Sequence, residues 1–216
     1  MTQQTDGAAR EHLPVSVELQ GWLRTEASRL AGEYRADRPA GVSRLAQLRK
    51  PGKGLTDPGN WEALEGLPQA CVGRGDKPSR AELAGYSALA LFALHQQSHR
   101  DRSMHENGAS IGTALRRIGG ASDLDPALDR RFKALGTAAS LEAAVRHLRG
   151  LVAMLKRAGV PLDYGRLAKD LFDLQHPESA RAVRLRWGRD FYTRSRPQEP
   201  SPSQQTPPPP NSEENQ

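Results

Sequence analysis

PSRAELAGYSALALFALHQQS, residues 78–98, is the stretch that decides the fold. Ser79 followed by Glu82 is a capping box. The serine side chain accepts from the Glu82 backbone N–H while the glutamate reaches back to the Ser79 N–H. From Tyr86 to Leu94 the only polar residue is Ser87, so no face of this helix suits water. A helix that is apolar all round is buried all round, and this run is too short to span a bilayer. The remainder of the chain is amphipathic and basic, and is expected to wrap this segment with its arginines turned outward.

The 216 residues allow one domain or two small ones with a sizeable core. Ala and Leu dominate the apolar residues, and Ile occurs only at Ile111 and Ile118. That usage favours helix and leaves little material for a sheet. Lys+Arg number 31 against 25 Asp+Glu, a formal net charge of +6. Net charge alone argues for affinity to polyanions and not for a fold. Most of the basic residues are arginine, whose planar fork grips phosphate at two points. A biased codon usage would enrich arginine equally well, so the placement of the arginines matters more than their number. Cys71 is alone, which excludes an internal disulfide and fits a reducing cytosol. No secretory pattern opens the chain and no apolar run reaches the ~18 residues of a membrane span, so a cytoplasmic protein is expected.

Outward from the central helix, residues 1–13 are polar and expected to be flexible. Helix starts near Pro14–Val17 and reaches Tyr34, with Leu19, Trp22, Leu23, Leu30 and Tyr34 at near-helical spacing. Between Arg38 and Thr56 lie Arg38, Arg44, Arg49, Lys50 and Lys53 and no acid; a short helix over Val42–Arg49 is expected there. The turn Asp57-Pro58-Gly59-Asn60 then delivers Trp61 and Leu64, read as core pegs in preference to a base-stacking platform. Beyond the polar 99–108 stretch, a short helix over Ser110–Ile118 stops at Gly119-Gly120. Residues 119–124 mark the expected boundary between an N-terminal helical half, 14–120, and a C-terminal one, 121–195. In the second half, Asp125-Pro126 is a cap followed by an N1 proline. Ser140 caps a long helix ended by Gly159, Asp163 caps the next, and Pro177 opens the last, to about Thr193. Residues 196–216 carry seven prolines with Ser, Gln and Glu and read as a disordered tail. The fold class is all-α: two small packed helical halves without significant sheet.

Catalytic signatures are missing from the sequence. His95, His99 and His105 invite a metal reading, since i,i+4 histidines share a helix face, but the zincin motif needs Glu where Gln96 stands. No GxSxG elbow, Walker loop or strand-borne GxGxxG occurs. Neither an enzyme nor a cofactor or metal is expected, and a hydrolase built on the 95–105 histidines is the weakest reading.

The basic residues are better ordered. On a helical wheel of residues 140–158, Leu141, Val145, Leu148, Val152 and Leu155 form the buried stripe. Arg146, Arg149, Lys156 and Arg157 share a flanking arc, interrupted only by Glu142 in the first turn, where negative charge suits the helix dipole. In the last helix Val183, Trp187 and Phe191 form the apolar line, while Arg181 and Arg189 point away. Any one such arginine is an ordinary solvated residue. Three basic concentrations, at 38–53, 146–157 and 181–194, point to an extended polyanion gripped by its phosphates.

Several motifs, read in order, carry a resemblance. They are Gln47–Lys50 (QLRK), Ala90–Ser98 (ALFALHQQS), Gly108–Arg117 (GASIGTALRR), Asp129–Phe132 (DRRF), His147–Val152 (HLRGLV), Pro161–Leu171 (PLDYGRLAKDL) and Val183–Tyr192 (VRLRWGRDFY). Over about Val15–Arg194 the chain resembles the CasB family, the small subunit of the type I-E CRISPR surveillance complex Cascade. The resemblance implies an all-helical, non-enzymatic subunit, present as two copies, that contacts the other Cascade subunits. It also implies basic residues that help hold crRNA with target DNA, as guide–target duplex and displaced strand. The motifs carry over Arg49, Arg80, Arg131 and Arg149. With the basic concentrations, the candidate nucleic-acid-binding residues are Arg44, Arg49, Lys50, Lys53, Arg80, Arg131, Arg146, Arg149, Lys156 and Arg181. The rival expectation is a purely structural helical adaptor whose basic faces meet acidic protein surfaces.

Overall fold

The computed structural model describes residues 13–50, 54–119 and 124–193. The expectations for the N-terminus before residue 13, for Lys53, for most of the 119–124 boundary and for the proline-rich tail lie outside those residues. Among the described residues the chain forms eight α-helices: α1 (Val15–Arg35), α2 (Pro39–Arg49), α3 (Arg80–Gln96), α4 (Ile111–Ile118), α5 (Pro126–Gly136), α6 (Leu141–Ala158), α7 (Tyr164–Asp173) and α8 (Pro177–Tyr192). Three short 3-10 turns, Gly54–Thr56, Pro58–Leu64 and Gln69–Cys71, connect α2 to α3. No strand occurs among the described residues, and the single β-like contact is an isolated bridge between His105 and Leu162. The protein is all-α.

Local chemistry fixes the helix ends. At α3 both bonds of the capping box form: Glu82 N–H donates to Ser79 Oγ at 3.0 Å and Ser79 N–H donates to Glu82 Oε2 at 2.6 Å. Asp125, Ser140 and Asp163 cap α5, α6 and α7 by accepting from Ala127, Ala143 and Arg166. Gly159 ends α6 with φ +64°, a left-handed conformation open to glycine at little cost. The helix expected over Val42–Arg49 begins three residues earlier, because Pro39 has the φ that a first helical residue needs.

Helix α3 is the axle. Residues 88–93, together with Ala81, Ala84, Gly85, His95 and Gln96, are all buried. Helices α2, α6 and α7 pack around it, and α1 completes the layer through its most extensive contact, with α7. That crossing depends on Gly165, where a Cβ would stand 2.5 Å from the Gln20 carbonyl oxygen and 2.5 Å from Arg24 Cγ. Helix α8 packs on α4 in the same manner: a Cβ on Gly112 would meet the Trp187 carbonyl oxygen at 2.5 Å. One hydrophobic core results, running from Leu19 and Leu23 through Leu89, Leu91 and Phe92 to Leu148, Leu155, Tyr164, Trp187 and Phe191.

Buried charge is tied into this core. Asp163 accepts from both the Arg24 guanidinium (2.6 Å) and the Gly108 N–H (2.8 Å) besides capping α7. Burial works to raise its carboxyl, but these bonds prevail and hold it below the usual value. Asp170 accepts from the Trp187 indole at 2.6 Å and from Arg186 at 2.8 Å; there burial prevails and the carboxyl is raised.

Two sequence expectations are corrected. Trp61 is no core peg: it is 63% exposed, and its indole N–H donates to the Leu55 carbonyl at 3.0 Å. In the 3-10 turn over Pro58–Leu64, residues three apart eclipse one another. Asn60 and Ala63 therefore turn inward together and Trp61 turns out. On α6 the buried face is Ala144, Leu148, Leu151, Val152 and Leu155. It is rotated from the expected stripe because α5 and α4 pack beside α3 on that side, leaving Leu141 and Val145 half-buried.

Candidate nucleic-acid interface

The outward arc of α6 is the best-formed basic surface. Arg146, Arg149 and Arg157 are exposed, and no ion pair involves them among the described residues. At the far end of the helix Lys156 is half-buried, and its ammonium donates to Gln97 Oε1 at 3.1 Å. Burial lowers the Lys156 ammonium from its usual value, and the Arg49 guanidinium at the end of α2 lowers it further. Two cations more than a hundred residues apart in sequence are thus held within electrostatic reach of one another. The Arg49 Nη1 is itself buried without a hydrogen-bond partner. From Arg146 to Lys156 the arc extends about 15 Å, at ~1.5 Å per helical residue.

Beside this arc lies a groove of about 610 Å³ between the Gly54–Thr56 turn, α3 and α6. Leu55, Leu83, Tyr86, Leu141 and Val145 line it, and Glu142, Arg146 and Arg149 stand on its α6 wall. The Tyr86 phenol is raised by burial and by Asp57, with Arg149 pulling the other way.

The other candidates are dispersed. Arg44 is spent internally: its side chain is only 13% exposed and pairs with Glu62 at 2.9 Å and Glu65 at 3.9 Å. Lys50 is exposed just past α2. Arg80 is exposed at the start of α3, its guanidinium 5.1 Å from the centre of the Phe172 ring. Arg131 is exposed on α5 and reaches the Met154 sulfur at 4.0 Å. Arg181 is exposed on α8, but the nearby arginines are half-buried and engaged: Arg184 donates to the Ala138 carbonyl and Arg186 to Asp170. The structure therefore brings together Arg49, Arg146, Arg149 and Lys156 around α6, and leaves Arg80, Arg131 and Arg181 on separate helices. The groove and the exposed Trp61 have no sequence signal of their own, since both follow from the rotation of α6 and the 3-10 turn.

The three histidines serve the core. His95 is fully buried, with Nδ1 2.9 Å from the Tyr164 hydroxyl, and burial pushes its imidazole down to about 3. His105 accepts from the Tyr164 N–H, and His99 donates from Nε2 to the Lys156 carbonyl at 2.9 Å. Among the described residues no group of three or more His, Cys, Asp or Glu could hold a metal ion, and no helix is long and apolar enough to cross a membrane.

Comparison with known proteins agrees with this architecture. CasB from Thermobifida fusca superposes with a TM-score of 0.68 and is 34% identical, over 81% of this chain and 97% of that one. CasB from Thermus thermophilus (24% identity, TM-score 0.52, covering 83% and 99%) shares the fold. A chain of a CRISPR RNA-guided surveillance complex (23% identity, TM-score 0.60, covering 82% and 95%) shares it too. No curated protein matches the sequence. The family model of the CRISPR-associated protein Cse2 matches residues 44–192, and it spans α3 to α8 with the capping box, the Gly112 crossing of α4 on α8 and the whole basic arc of α6. The chain belongs to the CRISPR-associated Cse2 (CasB) family.

Proposed function

We propose that this protein is a non-catalytic small subunit of a cytoplasmic type I-E CRISPR surveillance complex, Cascade. In this role it stabilises crRNA-paired target DNA and the displaced strand beside a second copy of itself and the other subunits. One observation carries the reading: the fold presents Arg146 and Arg149 on one exposed arc of α6 and brings Arg49 within electrostatic reach of Lys156 at its end, with no carboxylate pairing any of them among the described residues. Like charges held together are destabilising alone and become favourable when a polyanion lies across them. R-loop formation is a near-balanced exchange of duplexes, so protein contacts to backbone suffice to tip it without reading sequence. Arg44, neutralised by two glutamates, is left out of this role; Lys50, Arg80, Arg131 and Arg181 would extend the surface at its edges.

The test replaces Arg131, Arg146 and Arg149 together by alanine. All three are exposed, so each should cost no more than about half a kcal/mol of stability. Binding of target DNA by the assembled complex should weaken at every sequence alike. The log–log salt slope should flatten by roughly 0.7 per lost contact on a single strand. Normal assembly with unchanged affinity and salt slope would make these residues ordinary surface and leave a structural adaptor.

A further inference from the structure

We propose that the groove between the Gly54–Thr56 turn, α3 and α6, with Trp61 at its edge, receives unstacked bases of a single-stranded nucleic acid whose phosphates lie on Arg146 and Arg149. The inference rests on the reading above and specifies how one surface is used.

Three observations converge on this groove. The first is its chemistry. Leu55, Leu83, Leu141 and Val145 supply apolar walls and Tyr86 an aromatic one, in a volume of about 610 Å³. Sites of this size, mostly apolar with a few placed polar groups, are what planar ligands occupy. The second is Trp61. It is the most exposed large apolar side chain among the described residues, yet it does not swing freely. Its indole N–H is pinned to the carbonyl of Leu55, a residue of the groove wall, which leaves its faces to solvent. An exposed ring held in place is a stacking platform of the kind that single-strand binders use, and every base has a face to offer it. The third is charge. Arg146 and Arg149 stand on the groove wall itself and begin the cationic arc that continues along α6 to Lys156. A strand following that arc by its phosphates would carry its bases past the groove.

Glu142 also lines the groove, and its carboxyl is held below its usual value by its own backbone N–H and by the Ser140 hydroxyl. It repels phosphate at that end, so the backbone is placed toward Arg149. An apolar protein side chain could fill the groove too, but it would leave both arginines without an anion unless the partner also carried carboxylates beside it, and the test below separates that occupant from a strand. A duplex has its bases stacked and paired, so it would use the arc and not the groove.

The experiment uses the full chain and two probes of equal length: a labelled oligothymidylate and an abasic sugar-phosphate oligomer. The oligothymidylate should bind roughly tenfold more tightly than the abasic probe. Trp61→Ala should bind the abasic probe as the natural protein does and lose most of that preference. An iodouracil-substituted strand should photocrosslink to Trp61 or Tyr86 when mapped by mass spectrometry. Equal affinity for the two probes, or crosslinks confined to other parts of the chain, overturns the groove inference and leaves the arginine reading intact. Binding of neither probe overturns the reading beneath it. If Trp61→Ala instead weakens association with other subunits and leaves both affinities unchanged, the groove is a protein-docking surface and the inference fails.

Discussion

Gly165→Ala is the sharpest test of the architecture. An added Cβ would lie 2.5 Å from the Gln20 carbonyl oxygen and 2.5 Å from Arg24 Cγ, whereas carbon atoms pack comfortably only at about 3.5–4.0 Å. The arginine stem can shift, but the carbonyl is part of α1 and cannot. Helix α7 must therefore retreat from α1 by about 1 Å along the most extensive helix contact in the protein. Overpacking of this kind costs about 1–3 kcal/mol. The rigid neighbour places Gly165 at the upper end, and alanine's better helix propensity returns up to ~1 kcal/mol. The net loss of about 2 kcal/mol predicts a melting temperature lower by roughly 4–8 °C for a chain of this size. Gly150→Ala is the control, for Gly150 lies inside α6 with nothing within 4 Å of its Cβ position. That change should stabilise by about 0.5–1 kcal/mol. Thermal unfolding followed by far-UV circular dichroism reads both. A Gly165→Ala protein that melts at or above the natural one would refute the close α1–α7 crossing, as would equal losses from the two substitutions.

Acid should destabilise through the buried imidazole. His95 is held at about 3 against an ordinary value of 6.5, so between those limits the unfolded chain binds more protons. Its contribution is complete above pH 6.5 and is lost as pH falls toward 3, about 2 kcal/mol by pH 5. His95→Gln should flatten that dependence in denaturant titrations over this window, and an unchanged slope would show that His95 titrates freely in the fold. Ser79→Ala removes the cap of α3 together with the Ser79 hydroxyl bond to the Cys71 carbonyl; a loss of ~1 kcal/mol is expected from chemical unfolding, and no loss would mean that the cap is idle.

Much of this architecture was legible in the sequence because it is written locally. Ser79 with Glu82, Asp125 before Pro126, Ser140 and Asp163 mark helix starts that the structure keeps, since a cap needs only neighbours in sequence. Helix partners were not legible. Gly150 and Gly165 look alike in sequence, and only the crossing of α1 over α7 makes one spare and the other indispensable. The site divides the same way. The arc of Arg146, Arg149 and Lys156 follows from helical period. By contrast, the loss of Arg44 to Glu62 and Glu65, the approach of Arg49 to Lys156 and the exposure of Trp61 depend on how distant segments dock.

The bond from Arg24 to Asp163 spans 139 residues, which has a consequence for how the protein is made. A helical chain usually folds through near neighbours, and quickly. Here the first of the described helices has its principal partner in the next to last of them. Until α7 is synthesised, α1, with Leu19, Leu23 and Leu30 on its apolar face, lacks the helix it contacts most, and α4 likewise waits for α8. The nascent chain therefore carries exposed leucine faces through most of its synthesis, at the usual pace of about 5–20 residues per second. A product that stops short of α7 is left with sticky helices rather than a smaller fold, and the cell meets it as a substrate for chaperones and proteases.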